Sequence, residues 1–461
     1  MMDEKPAKIL IANRGEIALR VIRACRELQL PNILVFSEAD RNALPTRLAD
    51  EAICIGAAPA IESYLKLDRI IAAAELTGAT AIHPGYGFLS ENPHFAEVCE
   101  ACNLKFIGPS SQAISILGDK AAARNAMKAA GLPVIPGSEG VVANIPDALA
   151  QAEKLGYPVM LKASAGGGGK GMRAVMDANQ LPSAFHTASA EARLAFGNGS
   201  LYLEKCLIEP RHVEIQLMAD QQGRVLTFGE RDCSLQRNHQ KLIEESPCPV
   251  LPEEVRKQMC EAAVKAAQTV GYVGAGTVEF LYEPASRQFF FMEMNTRLQV
   301  EHPVTEMVTG RDLVREQITV ALGKPLHWKQ SEIRCHGHAI EIRINAEDPA
   351  HGFSPCPGKI GFYQPPGGPG VRVDSHLYDG YEVPPFYDSM LAKVIVHDES
   401  RELTRQRALQ ALRELSIEGV VTTAPFAREV LASSEFASGD YHTDTLEQLL
   451  RRRETTADLN L

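Results

Sequence analysis

Two observations predict a chain of mixed fold class, α/β at its start and α+β beyond. Short strands at residues 8–12 and 33–36 flank an amphipathic helix, and another strand and helix follow at 52–55 and 67–76. This β-α-β alternation predicts a parallel sheet with helices on its faces. Farther along, two alternating segments at 277–282 and 289–302 enclose turn residues, which predicts an antiparallel hairpin.

The first turn of the parallel region argues against a dinucleotide site. It carries Gly15 alone, where Gly-x-Gly-x-x-Gly would be needed to bring backbone close to a pyrophosphate. Residues 83–88 form a Gly/Pro loop that presents Tyr86. A structural turn and a ligand-facing loop both fit this loop.

The predicted hairpin places two carboxylates opposite each other. Residues 283–288 contain Pro284 and Ser286, and a turn about Ser286 brings Glu279 across from Glu293. Like charges directly across a ladder are destabilising, so this pair calls for a cation between them. Carboxylate and amide oxygens without Cys or His favour a hard ion, Mg²⁺ or Mn²⁺, over zinc. An ion held by so few protein oxygens usually also holds a phosphate.

A polar row continues along the same segment. The odd positions after Phe291 are all polar, while apolar residues stand between them, and an extended strand would place the two kinds on opposite faces. A solvated edge strand gives the same pattern, but the facing carboxylates favour a functional row. Its members are Glu293, Asn295, Arg297, Gln299 and Glu301.

A run of four glycines, 166–169, lies between strands predicted at 159–163 and 173–175. A P-loop joins a strand to a helix and needs Ser or Thr after its lysine, whereas Gly171 follows Lys170. Glycines without Cβ atoms let backbone N–H groups approach phosphate oxygens, and Lys162 and Lys170 add positive charge. We interpret the run as a flexible flap over a nucleotide, with a solvent-exposed hairpin as the alternative.

Two further segments have side chains at a spacing of two. Arg237, His239 and Lys241 would share one side of an extended segment, and we interpret them as a cationic wall opposite the metal, with a solvated face as the alternative. A strand at 339–346 places Arg343 between Glu341 and Asn345 on one face and isoleucines on the other.

Composition bounds the class of protein. A chain of 461 residues predicts two or three domains, and its net charge of −11 without a long basic run argues against bulk nucleic-acid binding. The start lacks the apolar core of a signal peptide and no apolar run is long enough for a bilayer, so we expect a cytoplasmic protein without membrane contact. Cys99 and Cys102 form an isolated C-x-x-C, which we interpret as reduced thiols.

The combined motifs resemble the biotin carboxylase family over nearly the whole chain. They are IANRGEIA at 11–18, HPGYGFLSEN at 83–92, the loop at 166–172, ERDCS at 230–234, EMNTR at 293–297 and EHP at 301–303. The resemblance implies an ATP-grasp fold with a Rossmann-like domain at 1–118, an ATP-grasp domain at 119–330 with a mobile glycine-loop lid at about 135–205, and a C-terminal domain at 331–461. It implies that ATP, bicarbonate and biotin on a carrier protein give ADP, phosphate and carboxybiotin.

The resemblance also implies roles for single residues. Those similar to the triphosphate grip are Lys120, Lys162, Gly166, Gly167, Gly168, Gly169, His212, Gln236 and His239. Those similar to adenine neighbours are Glu204, Lys205, Leu207 and Leu281. Glu279 and Glu293 match ligands of two Mg²⁺ or Mn²⁺ ions, with Asn295 close by.

The remaining matches concern the carbon substrates. Lys241, Arg297, Gln299 and the backbone of Val300 are similar to the bicarbonate pocket. Glu301 is similar to the base that deprotonates bicarbonate, Arg343 to the cation that stabilises the biotin enolate, and Tyr86 to a residue on the biotin side.

Three positions depart from the pattern of the family, and one absent motif concerns the partner proteins. Lys170 stands where the family often has Arg, Asn238 where it often has a basic residue, and Pro369 where an aromatic often makes a contact of the usual homodimer. Because no Ala-Met-Lys-Met biotinylation motif occurs, we expect the biotin carboxyl carrier protein and the carboxyltransferase subunits to be separate chains.

Acetyl-CoA is the expected carboxyl acceptor, which would place the chain in malonyl-CoA formation for fatty acid synthesis. The alternatives are another acyl-CoA, pyruvate or urea as acceptor, and a ligase that passes activated bicarbonate to ammonia. A catalytically silent nucleotide sensor would have lost at least one of five residues that are all present, Glu279, Glu293, Arg297, Glu301 and Arg343.

Overall fold

A parallel sheet forms the first region of the computed structural model, which describes residues 7–138, 140–164, 171–238 and 240–458. Its strands are β1 (Ile9–Ile11), β2 (Asn32–Ser37), β3 (Glu51–Gly56), β4 (Ala81–His83) and β5 (Lys105–Phe106), in the order β3-β2-β1-β4-β5. Its helices are α1 (Gly15–Glu27), α2 (Leu44–Leu48), α3 (Leu67–Thr77), α4 (Pro93–Ala101) and α5 (Ser111–Gly118). Every residue of β1 has no exposed surface, as expected for a parallel strand covered on both faces. The predicted parallel sheet is confirmed.

A small antiparallel sheet follows, with helices on one side. Its strands are β6 (Val159–Ala163), β7 (Met172–Val175) and β8 (Leu201–Lys205), and the helices of this part are α6 (Lys120–Ala129), α7 (Ile145–Leu155) and α8 (Leu181–Phe196). Val159, Leu161 and Ala163 pack with alanines of α7 and α8, so the alternation of β6 turns Lys162 to the other face. Residues 165–170, which include the four glycines, lie outside the described residues.

A large sheet of eight strands carries most of the polar residues singled out above. The strands from before residue 330 are β9 (Arg211–Ala219), β10 (Val225–Arg237), β11 (Gln240–Ser246), β12 (Gly274–Glu283) and β13 (Gln288–Asn295). They pack with α9 (Glu253–Thr269), α10 (His302–Thr309) and α11 (Leu313–Ala321). The order of the whole sheet is β13-β12-β9-β10-β11-β14-β21-β19, so it continues across residue 330.

The last region adds three strands to that sheet and several short pairs beside it. Its strands are β14 (His338–Asn345), β15 (Glu347–Asp348), β16 (Ser354–Pro355), β17 (Gly358–Lys359), β18 (Phe362–Gln364), β19 (Val371–Ser375), β20 (Glu382–Val383), β21 (Met390–Asp398) and β22 (Ser416–Glu418). Its helices are α12 (Arg401–Glu414), α13 (Ala424–Ala432), α14 (Ser434–Ser438) and α15 (Thr445–Asp458). Ile340, Ile342 and Ile344 pack in the core with α12 and α13, so the alternation of β14 turns Glu341 and Arg343 to the opposite face.

Two predicted extended segments are wrong. Arg237 and Lys241 do not lie on one strand, because the chain reverses after β10: Arg237 pairs with Gln240, and Asn238 has φ of 48°. His239 lies outside the described residues. Asn tolerates this left-handed conformation better than most residues. Arg237 donates to the Gly352 carbonyl and stacks on Phe353, away from the predicted wall.

The polar row after the hairpin is also not one strand. β13 ends at Asn295 and α10 begins at His302, so Arg297, Gln299 and Glu301 lie on a connecting loop.

The described residues include no helix whose length and apolarity would allow it to cross a membrane. All ten cysteines are free thiols, as predicted for Cys99 and Cys102.

Candidate active site

The carboxylates of Glu279 and Glu293 face each other across the hairpin, as the sequence predicts. β12 and β13 pair in a register that sets Glu279 against Glu293 and Glu283 against Gln288, with a bulge between the Glu279 and Phe280 pairs. Glu279 is buried, whereas the side chain of Glu293 is 37% exposed. The turn thus presents one enclosed and one accessible carboxylate at the same end of the sheet.

Four polar groups hold the Glu279 carboxylate. Its Oε1 accepts from Asn295 Nδ2 at 2.8 Å, Lys241 Nζ at 3.1 Å and Gln299 Nε2 at 3.2 Å. His212 Nε2 lies 3.0 Å from Oε2. Burial alone would raise the pKa of Glu279, but Lys241 and His212 hold it far below the usual range. Glu279 is therefore ionised.

The pKa of Glu293 is shifted in the opposite direction to that of Glu279. Burial and the neighbouring Glu279 charge raise its pKa, and Lys120, whose Nζ lies 3.6 Å away, offsets this in part. A divalent cation would remove the repulsion that raises this pKa, so the donor set fits a hard ion. Among the described residues, His212, Glu214 and Glu279 have ligand atoms that all lie within 4.8 Å of one another. Glu293 is not part of that group.

Lys241 joins Glu301, the last residue of the polar row, to two carboxylates of the large sheet. Its Nζ lies 2.5 Å from Glu301 Oε1, 2.7 Å from Glu214 Oε2 and 3.1 Å from Glu279 Oε1. Burial would lower the pKa of Lys241, but the acidic groups around it raise that pKa well above its usual value. A fixed positive charge therefore stands among three buried carboxylates.

Glu301 has no exposed surface and lies between two cations. Lys241 contacts its Oε1, and Arg343 Nη2 donates to Oε2 at 3.0 Å. Burial would raise the pKa of Glu301, but Lys241 and Arg343 lower it well below the usual range. Its strength as a base depends on those two cations: it increases when an anionic substrate draws them away.

Arg297 is fixed on two sides of its guanidinium. Nε donates to Glu91 Oε2 at 2.9 Å, and Nη1 donates to Gln299 Oε1 at 2.9 Å. Glu91 also accepts from the backbone N–H of Thr296 at 3.0 Å. Nη1 also donates to the Leu298 carbonyl at 3.2 Å, and Nη2 donates to Asn295 Oδ1 at 3.4 Å. The guanidinium is thereby held in one plane, and the second N–H of Nη2 can donate to an oxyanion.

The Val300 carbonyl and Tyr86 meet a second buried ion pair. Lys393 Nζ donates to the Val300 carbonyl at 2.8 Å and lies 3.2 Å from Glu16 Oε1. The Tyr86 hydroxyl donates to the same Glu16 oxygen. This pair connects the start of α1 with the loop that carries Arg297 and Glu301.

The residues predicted for ATP lie on three elements. Lys162 Nζ donates to Glu204 Oε2 at 2.5 Å, and Arg124 Nη1 donates to Oε1 at 3.2 Å. Lys205 Nζ donates to the Gly156 carbonyl at 2.8 Å, away from Glu204.

The other residues predicted for ATP occupy neighbouring strands. Leu281 is half-buried on β12 beside His212 of β9, Gln236 pairs with Lys241, and Leu207 is half-buried after β8. Gly166, Gly167, Gly168, Gly169 and His239 lie outside the described residues.

Several residues of the site escaped the sequence reasoning. Glu214, Glu244, Lys393 and Glu16 are buried charges that hold Lys241, Arg343, Val300 and Tyr86, and each comes from a different strand or helix. Glu91 stands inside the HPGYGFLSEN motif, which was a usable signal. Glu214 lies in a strand that alternates in sequence but is buried along its whole length, so the pattern did not distinguish its face.

A parallel first sheet, a small sheet that presents a lysine and a large antiparallel sheet with facing carboxylates define the ATP-grasp class of ATP-dependent ligases. Three family models match the chain: "Biotin carboxylase, N-terminal domain" at residues 5–114, "Carbamoyl-phosphate synthase L chain, ATP binding domain" at 119–329 and "Biotin carboxylase C-terminal domain" at 341–448. The chain belongs to the biotin carboxylase family.

Individual relatives agree with the family models. Biotin carboxylase 1 of Bacillus subtilis is 54% identical over 440 residues, 95% of this chain and 98% of that protein. A pyruvate carboxylase subunit of Methanothermobacter thermautotrophicus is 53% identical over 445 residues, 96% of this chain and 90% of that protein. The biotin carboxylase domain dimer of the Hydrogenobacter thermophilus 2-oxoglutarate carboxylase, solved with MgADP, ADP and bicarbonate, has a TM-score of 0.87 at 46% identity and covers 96% of this chain and 97% of that one.

Proposed function

We propose that this chain carboxylates biotin on a separate carrier protein, with ATP and bicarbonate as the other substrates. The observation that supports this most is the position of Glu301, buried between Lys241 and Arg343 at 2.5 Å and 3.0 Å. A base between two cations suits a small anion that must lose a proton. Bicarbonate is such an anion, and its remaining proton makes it a poor nucleophile.

Deprotonation and phosphoryl transfer form the first step. Bicarbonate binds to the guanidinium of Arg297, and Lys241 and Arg343 move their contacts from Glu301 to the substrate. Glu301 then takes the proton of bicarbonate as its oxygen attacks the γ-phosphate of ATP, which forms carboxyphosphate and releases ADP. Lys241 offsets the charge that gathers between the nucleophile and the phosphate.

Transfer to biotin follows. Carboxyphosphate breaks into CO₂ and phosphate, and the released phosphate removes the proton from the ureido nitrogen of biotin. Arg343 stabilises the resulting enolate, which attacks CO₂. Tyr86 lines the biotin side of the site, and its bond to Glu16 fixes the ring.

Binding of ATP uses the residues around the hairpin. Glu279, Glu293 and Asn295 would hold Mg²⁺ or Mn²⁺, which supplies positive charge for the phosphates. The triphosphate is bound by Lys120, Lys162, His212, Gln236, His239 and the glycines 166–169. Leu281 packs under the adenine, and Glu204, Lys205 and Leu207 lie at its edge. Because Lys162 is paired with Glu204 in this structure, that ion pair rearranges when ATP binds.

We further propose that the chain acts as a homodimer and serves acetyl-CoA carboxylase, with carboxyltransferase subunits as partners. The support is the family membership together with a dimeric biotin carboxylase domain among the similar structures. Relatives include subunits of pyruvate and 2-oxoglutarate carboxylases, so the acceptor needs its own test. Copurification with the native carrier and transferase, followed by assays with acetyl-CoA, pyruvate and 2-oxoglutarate, identifies it.

The reaction itself is tested with the isolated chain. ADP release is measured with bicarbonate alone, with free biotin added and with ammonium added. We expect biotin to accelerate ADP release and ammonium to leave it unchanged. Acceleration by ammonium without a response to biotin would instead support a ligase that carboxylates ammonia, and would refute the proposal.

A further inference from the structure

Two buried carboxyl groups behind Arg343 remain without a role in the mechanism above. Glu244 of β11 and Glu341 of β14 pair directly in the antiparallel ladder, and neither has any exposed surface. Side chains at such positions have Cβ atoms about 4.5–5.5 Å apart, so their carboxyl groups are within reach of each other. Two adjacent buried carboxylates would repel each other strongly.

Three of the four oxygens of this pair are unsatisfied. Glu244 Oε1 accepts from Arg343 Nε at 2.6 Å, but Glu244 Oε2 and both oxygens of Glu341 have no hydrogen-bond partner among the described residues. An ionised Glu341 would thus be a bare buried charge, which is costly. A protonated Glu341 carries an O–H that can donate to Glu244 Oε2, and this one proton gives a partner to two of the three unsatisfied oxygens.

The nearby cations are committed to other partners. Lys393 has no exposed surface and contacts Glu16 and the Val300 carbonyl, and Arg343 contacts Glu244 and Glu301. No Lys, Arg or His in the described part of the chain donates a hydrogen bond to the Glu341 carboxyl group.

The charges around Glu244 and Glu341 also favour a proton on this pair. Burial and then Glu244 raise the pKa of Glu341 well above its usual value, although Lys393 and Arg343 oppose this. Burial and then Glu301 raise the pKa of Glu244 to about 7 against the effect of Arg343. The titratable groups that face the pair from the packed elements are Tyr86, Cys233, Lys241, Glu301, Arg343 and Lys393.

We propose that Glu244 and Glu341 form a carboxyl dyad that holds one proton, and that this dyad positions Arg343 for the anionic form of biotin. With the proton present, the dyad carries one negative charge, which orients Arg343 through Nε. With both carboxyls ionised, two negative charges behind the guanidinium would outweigh its single positive charge and reduce its attraction for an enolate. Glu341 is a positioning residue, since it acts through Glu244 and Arg343.

The consequence for biotin rests on the proposed function, but the presence of the proton does not. Infrared spectroscopy on protein labelled with ¹³C-glutamate therefore tests the proton directly, through the C=O stretch of a protonated carboxyl group at pH 7. We expect this band in the unaltered chain and its loss in Glu341→Gln. Absence of the band in the unaltered chain would overturn the proposal, whatever the enzyme does with biotin.

Kinetics test the effect on Arg343. Glu341→Leu removes the donor to Glu244 Oε2, and we expect kcat/KM for biotin to fall by about tenfold, comparable to the loss of one buried hydrogen bond. Glu341→Gln has an N–H in place of the O–H and should recover most of that loss. If the glutamine variant is as impaired as the leucine variant, Glu341 does not act through a proton donor and the proposal is wrong. If Glu341→Leu does not fold, the infrared comparison with Glu341→Gln decides alone.

Discussion

Removal of the Lys241 charge is expected to damage both the stability and the chemistry of the site. Lys241→Met keeps most of the length of the side chain but leaves Glu214, Glu279 and Glu301 without a shared cation. At an effective dielectric constant of about 20, unit charges 2.5–3.1 Å apart attract by roughly 5–7 kcal/mol. Desolvation offsets most of this attraction, and removal of one partner from a buried ion pair costs about 3–5 kcal/mol.

The assay is urea denaturation of Lys241→Met at pH 7.5, followed by circular dichroism. We expect a loss of about 3–5 kcal/mol of unfolding free energy. Lys105→Met is the matched control, because Lys105 is an exposed lysine on β5 and its replacement should change little.

A second variant separates the charge from the packing. In Lys241→Met with Glu214→Gln, one of the three carboxylate charges is removed, while the amide oxygen can still accept from Arg231. We expect this double variant to recover about 0.5–3 kcal/mol relative to Lys241→Met. Unchanged stability of Lys241→Met, or a double variant less stable than the single one, would refute the electrostatic reasoning.

Three further predictions concern the site and its surroundings. Glu301→Gln and Arg343→Ala should each keep the fold and ATP binding but lose roughly 10²–10⁴ in turnover, and near-normal bicarbonate-dependent ATP cleavage in either would remove that residue from the mechanism. Glu91→Gln should raise the KM for bicarbonate by about tenfold, because Arg297 loses a charged partner, and an unchanged KM would show that Gln299 suffices to hold the guanidinium. Burial lowers the pKa of His376 to about 3, whereas in the unfolded chain this histidine takes up its proton near pH 6.5. The stability that this difference provides above pH 6.5 is therefore lost as the pH falls. From pH 6.5 to 5.5 this loss should be about 1 kcal/mol in urea denaturation, it should be absent in His376→Asn, and equal slopes in the two proteins would contradict it.

Sequence patterns predicted the site where its geometry is local. The facing of Glu279 and Glu293 follows from one short turn, so strand alternation and turn residues sufficed. The isoleucine face of β14 likewise follows from its own alternation and places Arg343 on the opposite face.

The pattern failed where the chain turned or where neighbours came from distant segments. Asn238 reverses the chain between Arg237 and Lys241, and a spacing of two cannot distinguish a strand from a tight hairpin. Glu244 and Glu341 are adjacent because β11 pairs with β14, although almost a hundred residues separate them in sequence. No local pattern contains that information.

The eight-stranded sheet has a consequence for biosynthesis. Its central strands are made well before β14 and β21, which supply Arg343 and Lys393. Until the ribosome has released β14, which ends at residue 345, the edge of β11 has no neighbour, and unpaired strand edges promote aggregation. A nascent chain halted near residue 330 would thus have its nucleotide-binding segments but an open sheet, and we expect such a chain to require chaperone protection.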